Sequence, residues 1–124
     1  MKLTIDRTKW LRGAQVSGSY LLEPRHVGEK MCCLGFLARA YDVPEEEIRG
    51  LRSPTELAAH DLLPQGMEFL VHMVHGALLS VPIGSQAGCD LMTANDAKEL
   101  TDIEREDRLV KIFKEHDIDV EFIN

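Results

Sequence analysis

The residues with the widest chemical range in this chain are its three cysteines and five histidines. Cys32 and Cys33 are adjacent and stand just before a run with helical spacing. A thiol at a helix N-terminus lies near unpaired backbone N–H groups, which favour the thiolate. With a base drawn from His26, His60, His72, His75 and His116, Cys33 would be the nucleophile of a cysteine-dependent enzyme or the centre of a redox protein. No fixed Cys–His spacing singles out a partner, and free cysteine is among the most buried residue types. Packing is therefore the preferred role for the pair. His72 and His75 stand three apart and would share one helical face; with Cys89 brought up by folding, they would make a small metal site. No glutamate follows His72, so the metalloprotease pattern is missing, and the cysteines form no Cys-x-x-Cys knuckle. There is no phosphate-binding loop, dinucleotide fingerprint or Gly-x-Ser-x-Gly. No catalytic residue is assigned, and no cofactor is expected.

Carboxylates are plentiful and unevenly placed. The net charge of −7 divides as +3 over residues 1–31, −4 over 32–89 and −6 over 90–124. An acidic C-terminal third repels phosphate backbones, so direct nucleic-acid binding is not expected. Glu99, Asp102, Glu104, Glu106 and Asp107 are the candidate partner-binding acids. Gathered on one face, they would mimic nucleic acid toward a basic groove on a host protein. The plainer reading is a solvated helix face.

The elements that must position these groups follow from pattern. At 124 residues, with 44% hydrophobic and 28% charged residues, the composition is that of one globular domain over 1–124. Leu3-Thr4-Ile5 reads as a strand, after which Asp6 caps a brief helix, Arg7 to Arg12, ended by Gly13. Trp10 is the sole tryptophan and a core anchor. Gly18–Leu22 and Glu29–Cys33, joined by turn residues at 23–28, predict a hairpin from about Ser19 to Met31. Apolar positions 34, 37, 38 and 41 share a helical face. Pro44 and Glu45-Glu46-Glu47 open a short helix that Gly50 stops.

Further along, Ser53-Pro54-Thr55-Glu56 reads as a capping box. Met67 to His75 is read as helix, and Cys89 to Ala94 as another, with Asn95-Asp96 as its end cap. Thr101 to Glu104 is a second capping box, ahead of a helix with Ile103, Leu109, Val110 and Phe113 on its apolar side. Asp119 to Ile123 alternates as a half-buried strand and should pair with Leu3–Ile5. The fold class is α+β: several short helices, a β-hairpin and paired short terminal strands.

Charge enters the N-terminal residues before any apolar run, and no stretch reaches the ~18 continuous apolar residues of a membrane span. Neither a signal peptide nor a membrane partner is expected. Three cysteines, two of them adjacent, imply no disulfide framework and fit a reducing cytoplasm.

Lys30-Met31-Cys32-Cys33-Leu34-Gly35-Phe36-Leu37, Leu91-Met92-Thr93-Ala94-Asn95-Asp96 and the closing Ile118-Asp119-Val120-Glu121-Phe122 resemble a group of small bacteriophage and prophage proteins carrying a Cys-Cys-Leu-Gly core. The resemblance implies a phage-like accessory protein in a bacterial host and brings no catalytic residues. The expectation is a non-catalytic, protein-binding domain, in one form an inhibitor of a host protein acting through the acidic surface. The partner would be a protein with a basic surface. A homodimer seam at Met67, Met73 or Leu79 is the other partner reading.

Overall fold

The computed structural model describes residues 1–13, 19–24, 29–76 and 78–124. Its elements run β1 (Lys2–Asp6), a 3-10 turn (Arg7–Lys9), α1 (Cys33–Ala40), α2 (Glu45–Ile48), α3 (Pro54–Ala59), a 3-10 segment (Gln65–Leu70), β2 (Val71–His75), β3 (Ser80–Gly84), α4 (Gln86–Asp96), α5 (Asp102–Lys114) and β4 (Asp119–Ile123). The architecture is α+β, with two separate two-stranded sheets.

β1 pairs in parallel with β4, Leu3 opposite Val120 and Ile5 opposite Phe122. Alternation decides which face turns inward: Leu3 and Ile5 are buried, while Lys2 and Thr4 are exposed. Phe122 lies with its ring centroid 5.2 Å from that of Trp10, which is fully buried. Asp6 caps the following turn by accepting from the Thr8 N–H at 3.0 Å. That turn ends at Lys9, shorter than the helix to Arg12 that the sequence suggests.

α1 is the centre of the molecule. Cys33 through Ala38 are buried without a break, so the helix is covered on all sides. Gly35 makes that possible: a Cβ there would sit 1.8 Å from the Leu21 carbonyl oxygen, which crosses the helix at backbone distance. The expected hairpin at 19–31 is not regular structure among the described residues. The two limbs exchange only scattered bonds, Cys32 N–H to Tyr20 O at 3.0 Å and Glu23 N–H to Lys30 O at 3.0 Å. Their remaining donors and acceptors go elsewhere: Leu22 bridges Arg49 and Met31 bridges Trp10. Packing against α1 draws each limb to a different neighbour. Gly18 and the residues 25–28 of that expectation lie outside the described residues.

The hairpin of this fold is instead β2–β3, from Val71 opposite Gly84 to His75 opposite Ser80. The segment read as one helix over Met67–His75 is a 3-10 turn followed by this strand. Of the two capping boxes, one forms: Thr101 and Glu104 each accept from the other's backbone N–H, at 3.2 and 3.1 Å. At α3, the Ser53 hydroxyl bonds to the Thr55 hydroxyl at 2.6 Å and Glu56 accepts from the Arg52 N–H at 2.7 Å, so no box closes.

α5 buries Arg105, Leu109 and Phe113, four residues apart, whereas Ile103 is 76% exposed and Val110 39%. The core face therefore includes an arginine that pattern assigned to solvent. Its guanidinium donates to the carbonyls of Ala94 at 2.8 Å, Asn95 at 3.0 Å and Leu100 at 3.0 Å. The first two are unpaired carbonyls at the C-terminus of α4, where a cation also meets the negative end of the helix dipole.

Candidate functional site

Of the chemically equipped groups named from sequence, Cys32 and Cys33 are interior, the described histidines, Cys89 and the acids are half-buried or exposed, and His26 lies outside the described residues. Cys32 and Cys33 are both fully buried at the start of α1. Burial pushes the Cys32 thiol up to about 12. Burial also holds the Cys33 thiol well above its ordinary value, helped by Cys32 and Asp96 beside it. Backbone N–H groups at the helix start pull the other way and lose to desolvation. Burial and protonation give these two thiols the character of packing groups rather than of nucleophiles.

The Cys33 N–H donates at 3.0 Å to the Asn95 side-chain oxygen. The same oxygen accepts from the Trp10 indole N–H at 2.9 Å. The Asn95 amide nitrogen donates to the Leu11 carbonyl at 3.0 Å, Ser19 Oγ at 3.3 Å and Asp96 Oδ1 at 3.0 Å. Ser19 also bonds Asp96 through its hydroxyl. Asn95 is thus no end cap. It is a buried cross-link joining the residues after β1, the N-terminus of α1 and the last turn of α4, with both ends of its amide satisfied.

The metal reading fails on strand geometry. His72 and His75 lie on β2, where an odd separation sends side chains to opposite faces. His75 Nδ1 bonds the Ser80 hydroxyl across the hairpin at 2.8 Å. Cys89 stands exposed on α4. Among the described residues no group of three or more His, Cys, Asp or Glu is placed to hold a metal ion.

The acids at the start of α5 are drawn in different directions. Asp102 accepts from Arg12 in bidentate fashion at 3.2 Å to each oxygen, and Glu106 from Arg7 at 2.9 and 2.7 Å. Glu104 is spent on its cap. Hydrogen bonding to Arg12 lowers the Asp102 carboxyl, and bonding to the Thr101 backbone lowers that of Glu104. Glu99 and Asp107 are exposed. Three of the five candidates are therefore already occupied by this chain's own cations or backbone.

What the surface does present is apolar. Met73, Val74, Leu78, Leu79, Val81 and Ile83 are 46%, 49%, 94%, 74%, 51% and 46% exposed. Alternation puts Val74, Val81 and Ile83 on one face of the hairpin with His72, and Leu78 and Leu79 at its tip. Together they leave on the order of a few hundred Å² of apolar surface in water, the size of the largest patch on a typical monomer and often a functional one. Met67, the third residue of the expected dimer seam, is fully buried and takes no part. From 71 to 84 the sequence has no Asp, Glu, Lys or Arg. The opposite face carries Val71 and Met73, which line a cavity of about 500 Å³ with Ala58, Asp61, Leu63 and Glu68. Sequence reasoning passed over this site; the signal it held was the charge-free, β-branched run around Pro82.

Among the described residues no helix is long and apolar enough to cross a membrane. No family model, curated protein or solved structure matches the chain.

Proposed function

We propose that this chain is a non-catalytic protein-binding domain that engages its partner through the β2–β3 hairpin rather than through the acids of α5. The observation carrying this reading is the exposed apolar face of Val74, Val81 and Ile83 with the Leu78–Leu79 tip. Leaving such a surface in water is costly, and the hairpin's other face, which carries Val71, is the one that packs toward the core. The buried thiols of Cys32 and Cys33 and the placing of His72 and His75 on opposite faces support the non-catalytic half. The phage-like accessory role suggested by the Cys-Cys-Leu-Gly resemblance is compatible with a small binding module, and the bacterial cytoplasm remains the proposed compartment.

The test places a photo-crosslinking side chain at Val81 in one variant and at exposed Lys98 in another, inside living cells. A discrete adduct from position 81 and none from 98 is the expected result. An adduct at twice the 14.0 kDa chain mass would identify a second copy as the partner. Equal labelling at both positions, or none at 81, overturns the reading.

A further inference from the structure

The hairpin has two edges, and they are not equivalent. The Gly76 N–H donates to the Leu79 carbonyl at 2.8 Å, which sets the alternation of the ladder. Val74 with Val81 and His72 with Ile83 then face each other through hydrogen bonds, while Val71, Met73 and His75 on β2 and Ser80, Pro82 and Gly84 on β3 turn their backbone groups outward. On β3 the central outward position is a proline, which has no N–H to offer. That edge is closed to a further strand. On β2 the central outward position is Met73, whose N–H and carbonyl have no backbone partner among the described residues, and no charge or proline protects it. Val71 uses its N–H on the Glu68 carbonyl, which draws the 3-10 segment toward the same side.

The 500 Å³ cavity lies under the face opposite Val74 and Val81, at its β2 end: β2 supplies Val71 and Met73 to its lining and β3 supplies none. Its apolar lining comes from Ala58, Leu63, Val71 and Met73. Its charge comes from Asp61 and Glu68, both exposed and without an ion pair among the described residues. An open strand edge beside an apolar groove with two unpaired acids is complementary to an extended segment with a cation among apolar residues.

Resting on the protein-binding reading above, we propose that β2 is the acceptor edge for strand addition. Its ligand is an extended stretch of a partner protein that pairs with Met73 and His75 through its backbone and sets a Lys or Arg between Asp61 and Glu68. Pro82 disfavours addition at the β3 edge, which leaves β2 as the acceptor.

The probe is a fluorescein-labelled peptide, acetyl-Thr-Val-Lys-Val-Thr-amide, read by anisotropy with the full chain. Saturable binding below about 1 mM is expected, the weak end of specific association. Two further peptides carry backbone N-methyl groups, one at the even and one at the odd positions. Only one of these frames faces β2, so one should lose at least tenfold in affinity while the other binds. Both frames behaving alike overturns strand addition. Replacing the peptide lysine by glutamate should weaken binding, and Glu68→Lys should cost the lysine peptide about threefold while recovering the glutamate peptide, the size expected of an exposed ion pair. Indifference to both charge changes overturns the assignment of the cation. An adduct at Val81 from a cellular partner, with no peptide bound, sinks the β2 edge and leaves protein binding by the sheet face standing.

Discussion

Replacing Gly35 by alanine sets two effects of known sign against each other. By helix propensity alone the change should help, since glycine inside a helix costs about 1 kcal/mol relative to alanine. The geometry says otherwise. The new methyl would lie 1.8 Å from the Leu21 carbonyl oxygen, 2.7 Å from its carbon and 2.9 Å from the Met31 Cβ. Two of those atoms are backbone, and the segment is pinned: Leu21 N–H donates to Leu51 O at 2.7 Å and Cys32 N–H to Tyr20 O at 3.0 Å. The clash therefore cannot be relieved by a rotamer. Overpacking typically costs about 1–3 kcal/mol, and a contact this close to rigid backbone belongs at or beyond the upper end. Subtracting the propensity gain leaves a loss of about 2 kcal/mol. At this chain length that is a fall in Tm of about 8 °C. Thermal melts followed by circular dichroism, paired with urea titrations, measure it. A Gly35→Ala protein as stable as the parent, or more so, would mean that α1 does not lie against the Leu21 carbonyl and that the centre of the fold is wrongly described.

Three more outcomes follow from the interior. Asn95→Ala strands the Trp10 indole N–H, the Cys33 N–H and the Leu11 carbonyl in a dry site. At about 1–3 kcal/mol for each of these groups, a loss of at least about 3 kcal/mol is expected by urea titration, and one below about 1 would contradict the cross-link. A thiol reagent should find Cys89 at once in the native protein and all three cysteines only after denaturation; fast labelling of Cys33 would restore the reactive-thiol reading. Asp102 has its folded pKa depressed by Arg12, so its contribution is present above the unfolded carboxylate value of about 3.9 and lost as pH falls through the folded one. Asp102→Asn should therefore be less stable than the parent at pH 7, with the difference closing as pH falls through the depressed folded value; a gap that persists in strong acid would mean the Arg12 pair is not its source.

Local chemistry made some elements legible and tertiary packing hid others. Thr101 to Glu104 could be read because a capping box is satisfied within four residues. The same reasoning failed at Ser53, where Thr55 and Arg52 offered the two side chains other partners. Met67, Leu70, Val71 and Val74 fall at helical spacing, yet the last two are β-branched and pair with Gly84 and Val81. A short apolar run fits either period, and only the partner strand decides. Arg105 was invisible for a different reason: an arginine becomes a core residue only where three carbonyls wait for it, and those belong to α4 and the loop after it. The acids of α5 were correctly seen as numerous. That Arg7 and Arg12, about 90 residues earlier, would meet two of them could not be seen.

The parallel pairing of β1 with β4 has a consequence for biosynthesis. Lys2 must find Asp119, and everything between them has to be made first. At about 5–20 residues per second, β1 spends on the order of 10 s outside the ribosome with its ladder bonds unmade. Closing so long a loop delays that contact further. Leu3 and Ile5 are thus exposed to chaperones and aggregation until β4 has been made, while α1 and the helices after it have their neighbours close by. Of the four described strands, the one that leaves the exit tunnel after the others is the one that seals the first.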